Sequence, residues 1–389
     1  MIDSNFYNPC RLIFGRSSLE QLGQQIKQCG GTKVLLLYGG GSIFQNGVYD
    51  KVCEALKKDA LFYTELGGVH ANPLLSKVYE GIELCRQQEI DFLLAVGGGS
   101  VIDTAKAIGI GLSNPGDVWD YFVSAAPVAA NVPVGSVLTI PAAGSESSVG
   151  TVIMNDKTQM KRAINSETLI PRFAVLNPEF TTSLPAWQTA SGAADILAHL
   201  MERYFTCVEK VDYTDALLEA SMRSVMSVAG RVLQNPKDYD LRAEMMLMGT
   251  FAHNNMLQIG RMGDWASHDI QHGQSALHDT THGAGLAVIF PAWMKYVYRE
   301  GLDRFAQFAV RVMGVNIGFC DREALVLEGI GRLENFYLSI GLPVRLSGLG
   351  IFEKDISGLV EITFADRDFI GNFKRLGADD VRSIYELAL

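Results

Sequence analysis

The sequence predicts an α/β domain on a doubly wound parallel sheet, residues 1–178, followed by an all-helical metal- and substrate-binding domain, residues 179–389. Three observations predict it. Two apolar runs, 33–37 and 91–96, each end in a GGGS turn, and a run apolar at consecutive positions suits a strand covered on both faces. Strand signals stop near NPEF at 177–180, where Pro178 interrupts the pattern and helical periodicity takes over. Four of the seven histidines, His268, His272, His278 and His282, fall within residues 261–285, a concentration of imidazole that reads first as a metal site.

Residues 11–14 read as an edge strand and 17–29 as a helix. After strand 33–37, Ser42 and Gln45 have the S-x-x-Q spacing of a capping box, which predicts a helix from 42 to about 58. A strand at 61–65 and a helix at 74–87 follow. After strand 91–96, Ser100 and Asp103 repeat the box and lead a helix to about 111. Residues 135–140 are a further strand running into PAAGSES. Glycine lets a backbone approach a phosphate closely, and a helix amino terminus offers free N–H groups and positive dipole. Neither turn is G-x-G-x-x-G, since Phe44 and Ile102 stand at the last glycine's place. The turns are therefore either a dinucleotide site or two structural tight turns, and their repetition at matching places favours the first.

In the second half, helices are expected at 184–206, 212–233, 239–258, the histidine region, 292–312, 322–340 and 379–389. His268 with His272, and His278 with His282, have the i, i+4 spacing that puts two rings on one helix face. Asp195 and His199 form another such pair on an apolar helix, and a carboxylate and an imidazole one turn apart can chelate one ion. The competing reading is a structural network with Asp264, Asp269 and Asp279 as partners. The stretch AEMMLMGTF at 243–251 reads as core.

A hydrophobic fraction of 48% over 389 residues is enough for a large core. A net charge of −10 excludes the basic face that nucleic acid or an anionic membrane would need. With no long apolar span and no apolar leader, the expectation is a cytoplasmic protein. Cys10, Cys29, Cys53, Cys85, Cys207 and Cys320 are scattered without a CxxC, so they are expected to be small buried residues rather than disulfides or zinc ligands.

Taken together, RLIFG at 11–15, YGGGS at 38–42, NP at 72–73, AVGGGSVIDTAKAI at 95–108, LTIPAAGSE at 138–146, FAVLNP at 173–178, GAADILAHLMERYF at 192–205 and GDWASHDIQHGQSALHDTTHGAGLAVIFPAW at 263–293 resemble the iron-containing, or group III, alcohol dehydrogenases. Within them, the branch of NADPH-linked butanol dehydrogenases and broad aldehyde reductases is the most similar. The resemblance implies a Rossmann-like domain followed by a helical one, as in dehydroquinate synthase. It implies Asp195, His199, His268 and His282 as metal ligands, with Fe(II) favoured and Zn(II) the alternative. His272 matches a histidine beside the nicotinamide, and His278 matches no family position. Gly39, Gly40 and Ser42 would face the adenosine end of the cofactor, Asn72 would lie alongside, and Gly98, Gly99 and Ser100 would face the pyrophosphate. Asp103, Thr139, Ser145 and Lys161 would complete the surround, although capping explains Asp103 equally well. A homodimer is implied as common in the family.

Glu65, about 20 residues past the first turn, fits the acid that binds a ribose 2′-hydroxyl and would predict NAD. The family resemblance places that acid in the first turn instead, and residues 35–49 contain none, so NADP is the expectation. The expected reaction is metal-assisted hydride transfer between NADP(H) and a primary alcohol or aldehyde. A polyol dehydrogenase or a dehydroquinate synthase-type cyclase on the same scaffold is the alternative. For the cyclase's phosphorylated substrate only Arg203 and Arg261 stand near the motifs. A metallohydrolase and a structural metal protein are the more distant readings.

Overall fold

Six strands form one parallel sheet in the order β1-β8-β5-β4-β2-β3: β1 (Arg11–Phe14), β2 (Lys33–Tyr38), β3 (Phe62–Leu66), β4 (Phe92–Gly97), β5 (Val134–Leu138) and β8 (Phe173–Leu176). Between the last two, β6 (Gly150–Asn155) and β7 (Met160–Asn165) pair antiparallel as a separate hairpin. The computed structural model describes residues 1–124, 126–316, 318 and 321–389. The central strands are buried on both faces because their apolar residues do not alternate: Leu35 and Leu37 enter one core, Val34 and Leu36 the other.

The chain separates into an α/β unit, Tyr7–Leu184 with Pro236–Thr250, and a helical unit, Met1–Phe6 with Pro185–Asn235 and Phe251–Leu389. Against a single division at 178/179, residues 1–6 fall in the helical unit, and residues 179–184 and 236–250 in the α/β unit. Met246, fully buried, packs in the α/β core, and periodicity alone cannot say which core a helix joins. Among the described residues no strand follows Leu176, and no helix is long and apolar enough to cross a membrane.

Several local expectations are corrected. The helix expected over 42–58 breaks at Gly47, whose φ of 74° is left-handed, into Ser42–Gln45 and Val48–Lys58. Neither capping box forms. The N-caps are Gly41 and Gly98, with no side-chain cap bond at either. Ser100 Oγ instead donates to Ala71 O. The helix expected at 292–312 is the end of His282–Val297, which runs through Pro291, and then Leu302–Arg311. The helix Ile356–Thr363 and the β6–β7 hairpin were not anticipated. Cys53 and Cys85 are buried as expected, Cys10 and Cys29 half-buried, and Cys207 exposed; Cys320 lies outside the described residues.

Candidate metal centre and dinucleotide turns

In the α/β unit the chain passes from β2 to β3 on one side and returns to place β4 on the other side of β2. The order therefore reverses between β2 and β4, the switch point at which open parallel sheets bind ligands beyond their carboxyl ends. Gly39–Gly41 follows β2 and Gly97–Gly99 begins on the last residue of β4, so the two turns flank that point. The second leads the 15-residue helix Gly99–Ser113, uncapped by any side chain, which suits an anion at its amino terminus. Glycine there also meets a packing demand: a Cβ on Gly98 would lie 3.1 Å from Ile140 and one on Gly99 3.2 Å from Ala143.

The other residues named for the cofactor gather around these turns. Thr139 N–H donates to Gly97 O at 3.0 Å. Lys161 Nζ donates to Asn72 Oδ1 at 2.9 Å, both side chains buried. Ser145 Oγ donates to Asp103 Oδ1 at 2.5 Å and Val152 N–H to Asp103 Oδ2 at 3.0 Å, so Asp103 holds the loop after β5 rather than capping its own helix. Burial pushes its carboxyl above the usual range, against Lys106 and these hydrogen bonds. Gly40 and Ser42 are exposed and Gly39 half-buried.

In the helical unit, the helix Ala186–Tyr204 is buried from Thr189 onward and carries Asp195, His199 and Glu202 at i, i+4 and i+7, one face. The helix Ala266–His278 carries His268 and His272; His282 opens the helix His282–Val297. The expected His278–His282 pair does not share a helix. Asp279, at φ 49°, closes the first helix in the left-handed conformation. His278 is half-buried at that end.

Asp195, His268 and His282 bring one ligand atom each to within 4.8 Å of one another. His199 is not in that group but borders it, its ring centroid 4.7 Å from that of His268. Its Nδ1 lies 2.9 Å from Asp195 O and 3.2 Å from Asp195 Oδ1. Asp195 Oδ1 is buried and makes no hydrogen bond; His282 Nε2 is 3.7 Å from it. A buried carboxylate oxygen left unbonded beside imidazole nitrogens fits a divalent cation, and one carboxylate with imidazoles suits Fe(II) or Zn(II). The ring of His272 stacks on that of His282 at 5.8 Å.

Sequence reasoning missed Glu202, Gln271 and His253. Glu202 Oε1 accepts from His268 Nδ1 at 2.7 Å and from His268 N–H at 3.2 Å, and Oε2 from Trp265 N–H at 2.5 Å. It thereby caps a helix it does not belong to, next to Trp265, which is held at φ 71°. Burial raises its pKa to about 8, against those backbone bonds. His282 Nδ1 bonds Gln271 Oε1, and the His253 ring meets that of His199 edge-on at 4.2 Å. The spacing of Glu202 behind Asp195 and His199 was the available signal.

Switch-point glycine turns in one unit, and a carboxylate–imidazole cluster in the other, are the parts of a metal-dependent dinucleotide oxidoreductase. The chain belongs to the iron-containing alcohol dehydrogenase family: residues 9–178 match its model "Iron-containing alcohol dehydrogenase", and residues 189–389 match "Fe-containing alcohol dehydrogenase family, C-terminal". It is therefore an alcohol or aldehyde oxidoreductase that uses a nicotinamide cofactor and a divalent metal. It is 41% identical to the probable NADH-dependent butanol dehydrogenase 2 of Bacillus subtilis, over 100% of both chains. It is 33% identical to the NADPH-dependent aldehyde reductase YqhD of Escherichia coli, again over 100% of both. The crystal structure of NADH-dependent butanol dehydrogenase A from Thermotoga maritima superposes with a TM-score of 0.96 at 39% identity, covering 99% of this chain and 98% of that one.

Proposed function

We propose that this chain reduces short and medium-chain aldehydes to primary alcohols with NADPH, at a metal centre held by Asp195, His268 and His282 with His199 as the fourth ligand. The observation that carries the reading is the convergence of Asp195, His268 and His282 in a chain similar to butanol dehydrogenases and an aldehyde reductase along its whole length. Fe(II), or alternatively Zn(II), supplies Lewis acidity toward the carbonyl oxygen when bound. Asp195 and the imidazoles orient the ion; the glycine turns after β2 and β4 hold the dinucleotide. His272, one turn beyond His268, is the group proposed to move a proton to the alcohol oxygen.

The absence of an acid from residues 35–49 supports NADP(H), because nothing in that turn repels a 2′-phosphate. A specific observation favours NAD(H) instead. Glu65, one residue from the end of β3 next to β2, is held by Tyr38 OH at 2.9 Å and Tyr49 OH at 2.8 Å, which places a carboxylate beside the first turn. The test is one series: strip metal with a chelator, restore Fe(II) or Zn(II), and follow NADPH and NADH absorbance with aldehydes of increasing length. Metal-dependent reduction with kcat/KM higher for NADPH is expected. No absorbance change with any metal would sink the reading, and equal or better efficiency with NADH would replace NADP by NAD. In the same series, His272→Ala should lose one ionisation from the pH–rate profile; an unchanged profile removes that role.

A further inference from the structure

Each of three imidazoles at the metal centre is committed through the same nitrogen. Nδ1 of His199 donates to Asp195 O at 2.9 Å, Nδ1 of His268 to Glu202 Oε1 at 2.7 Å, and Nδ1 of His282 to Gln271 Oε1. A ring tied through Nδ1 has its tautomer and rotation set, and Nε2 becomes the atom that ligates. For His199 the anchor is main chain, one helical turn back, so no particular side chain is demanded. For His268 and His282 the anchors are side chains with no part in the expected ligand set.

We propose that Glu202 and Gln271 are positioning residues of the metal centre, fixing His268 and His282 so that both present Nε2 to the ion that Asp195 shares. The proposal rests on the metal-centre reading above. Both side chains are fully buried, and their chemistry matches what surrounds them. Three donors converge on the Glu202 carboxylate: His268 Nδ1–H, His268 N–H and Trp265 N–H. A glutamine there would turn an N–H₂ group toward at least one N–H. Gln271 meets the opposite demand. Its Oε1 accepts from His282 while its Nε2 donates to Ser275 Oγ at 2.8 Å and Thr280 Oγ1 at 3.3 Å. It therefore links the helix that carries His268 to the loop that delivers His282. Gly285 leaves room for this amide: a Cβ there would lie 2.7 Å from Gln271 Nε2.

The experiment uses the full chain, stripped of metal, with Zn(II) affinity read by competition against a chromophoric chelator and Co(II) bound as a visible-absorption probe of ligand geometry. Glu202→Gln is expected to weaken Zn(II) binding roughly 10–100-fold, as loss of such a partner typically does, and to change the Co(II) spectrum. Gln271→Leu should do likewise, while Gln271→Glu, which keeps the acceptor for His282, should restore affinity and spectrum. Should Glu202→Gln fail to fold, the two Gln271 variants decide. A merely structural role would lower the thermal midpoint of the metal-free protein and leave affinity and spectrum unmoved. That result, or Gln271→Glu losing as much affinity as Gln271→Leu, overturns the proposal. A wild-type chain that binds neither ion overturns the metal-centre reading as well.

Discussion

The Lys106 ammonium, two turns into the helix that follows Gly98, is fully buried among oxygens. It donates to Ser145 O at 2.8 Å, Ser148 O at 3.0 Å and Gly150 O at 2.7 Å, and the hydroxyls of Ser145 and Ser148 lie at 3.1 and 3.4 Å. Burial drives its pKa down to about 8, and Asp103 and Glu146 oppose that fall. One cation thus gathers the segment 145–150, whose Ser145 also bonds Asp103, against the helix at the second glycine turn. Replacing it by Lys106→Met leaves three carbonyls, the buried Glu146 and the half-buried Asp103 without their cation. Breaking a buried charged cluster in this way costs about 3–5 kcal/mol, to be read from urea denaturation. The loosened loop should also raise the KM for the dinucleotide more than it lowers kcat. A variant with wild-type stability and KM would show that the loop holds itself.

At the scale of elements, the proposed metal centre depends on how closely two helices approach. A Cβ on Gly283 would stand 1.9 Å from Ser191 O and 3.2 Å from Asp195 Cβ, so only glycine lets His282–Val297 lie against Ala186–Tyr204 at the level of Asp195 and His282. Gly283→Ala must push the helices apart and carry His282 away from Asp195. Its cost should reach the upper end of the roughly 1–3 kcal/mol typical of overpacking, with loss of bound metal measurable by elemental analysis. Gly230→Ala is the control: it lies inside Asp212–Gln234, where an added Cβ meets nothing, and should raise stability by up to about 1 kcal/mol. The same elements show what is legible in a chain of letters. The buried strands and glycine turns are, because unbroken apolar runs ending in glycine have few alternative folds. The His278–His282 pair is not, because its spacing is helical while Asp279 adopts a left-handed conformation that spacing does not encode. Glu202 was within reach at i+7 from Asp195. Its partner His268 comes from a helix more than sixty residues later, and helix spacing does not reveal such a tertiary contact.

On the scale of the whole molecule, the two units share an electrostatic character that composition conceals. Burial lifts the carboxyls of Asp103 and Glu146 in the α/β unit above the ordinary range. In the helical unit it lifts Asp264 to about 7, with Glu202 adding to the effect. Asp264 stays in place because Oδ1 accepts from Asn372 N–H at 2.8 Å and Phe373 N–H at 2.7 Å. In the unfolded chain such carboxyls ionise near pH 4. Between about 4 and 7 the folded protein therefore keeps a proton on Asp264 that the unfolded chain has lost, and stability must fall as pH rises through that window. This is the reverse of a salt-bridged aspartate, whose contribution grows as pH rises towards about 4 and is then constant. Asp264→Asn keeps an oxygen for the two N–H groups and cannot ionise. Thermal denaturation of the wild type from pH 4.5 to 7.5, an interval chosen to span roughly that titration, should show a falling midpoint, and the Asn variant a flatter one. Parallel profiles would mean that Asp264 is already ionised at the lower pH, its backbone donors Asn372, Phe373 and Ala266 outweighing its burial.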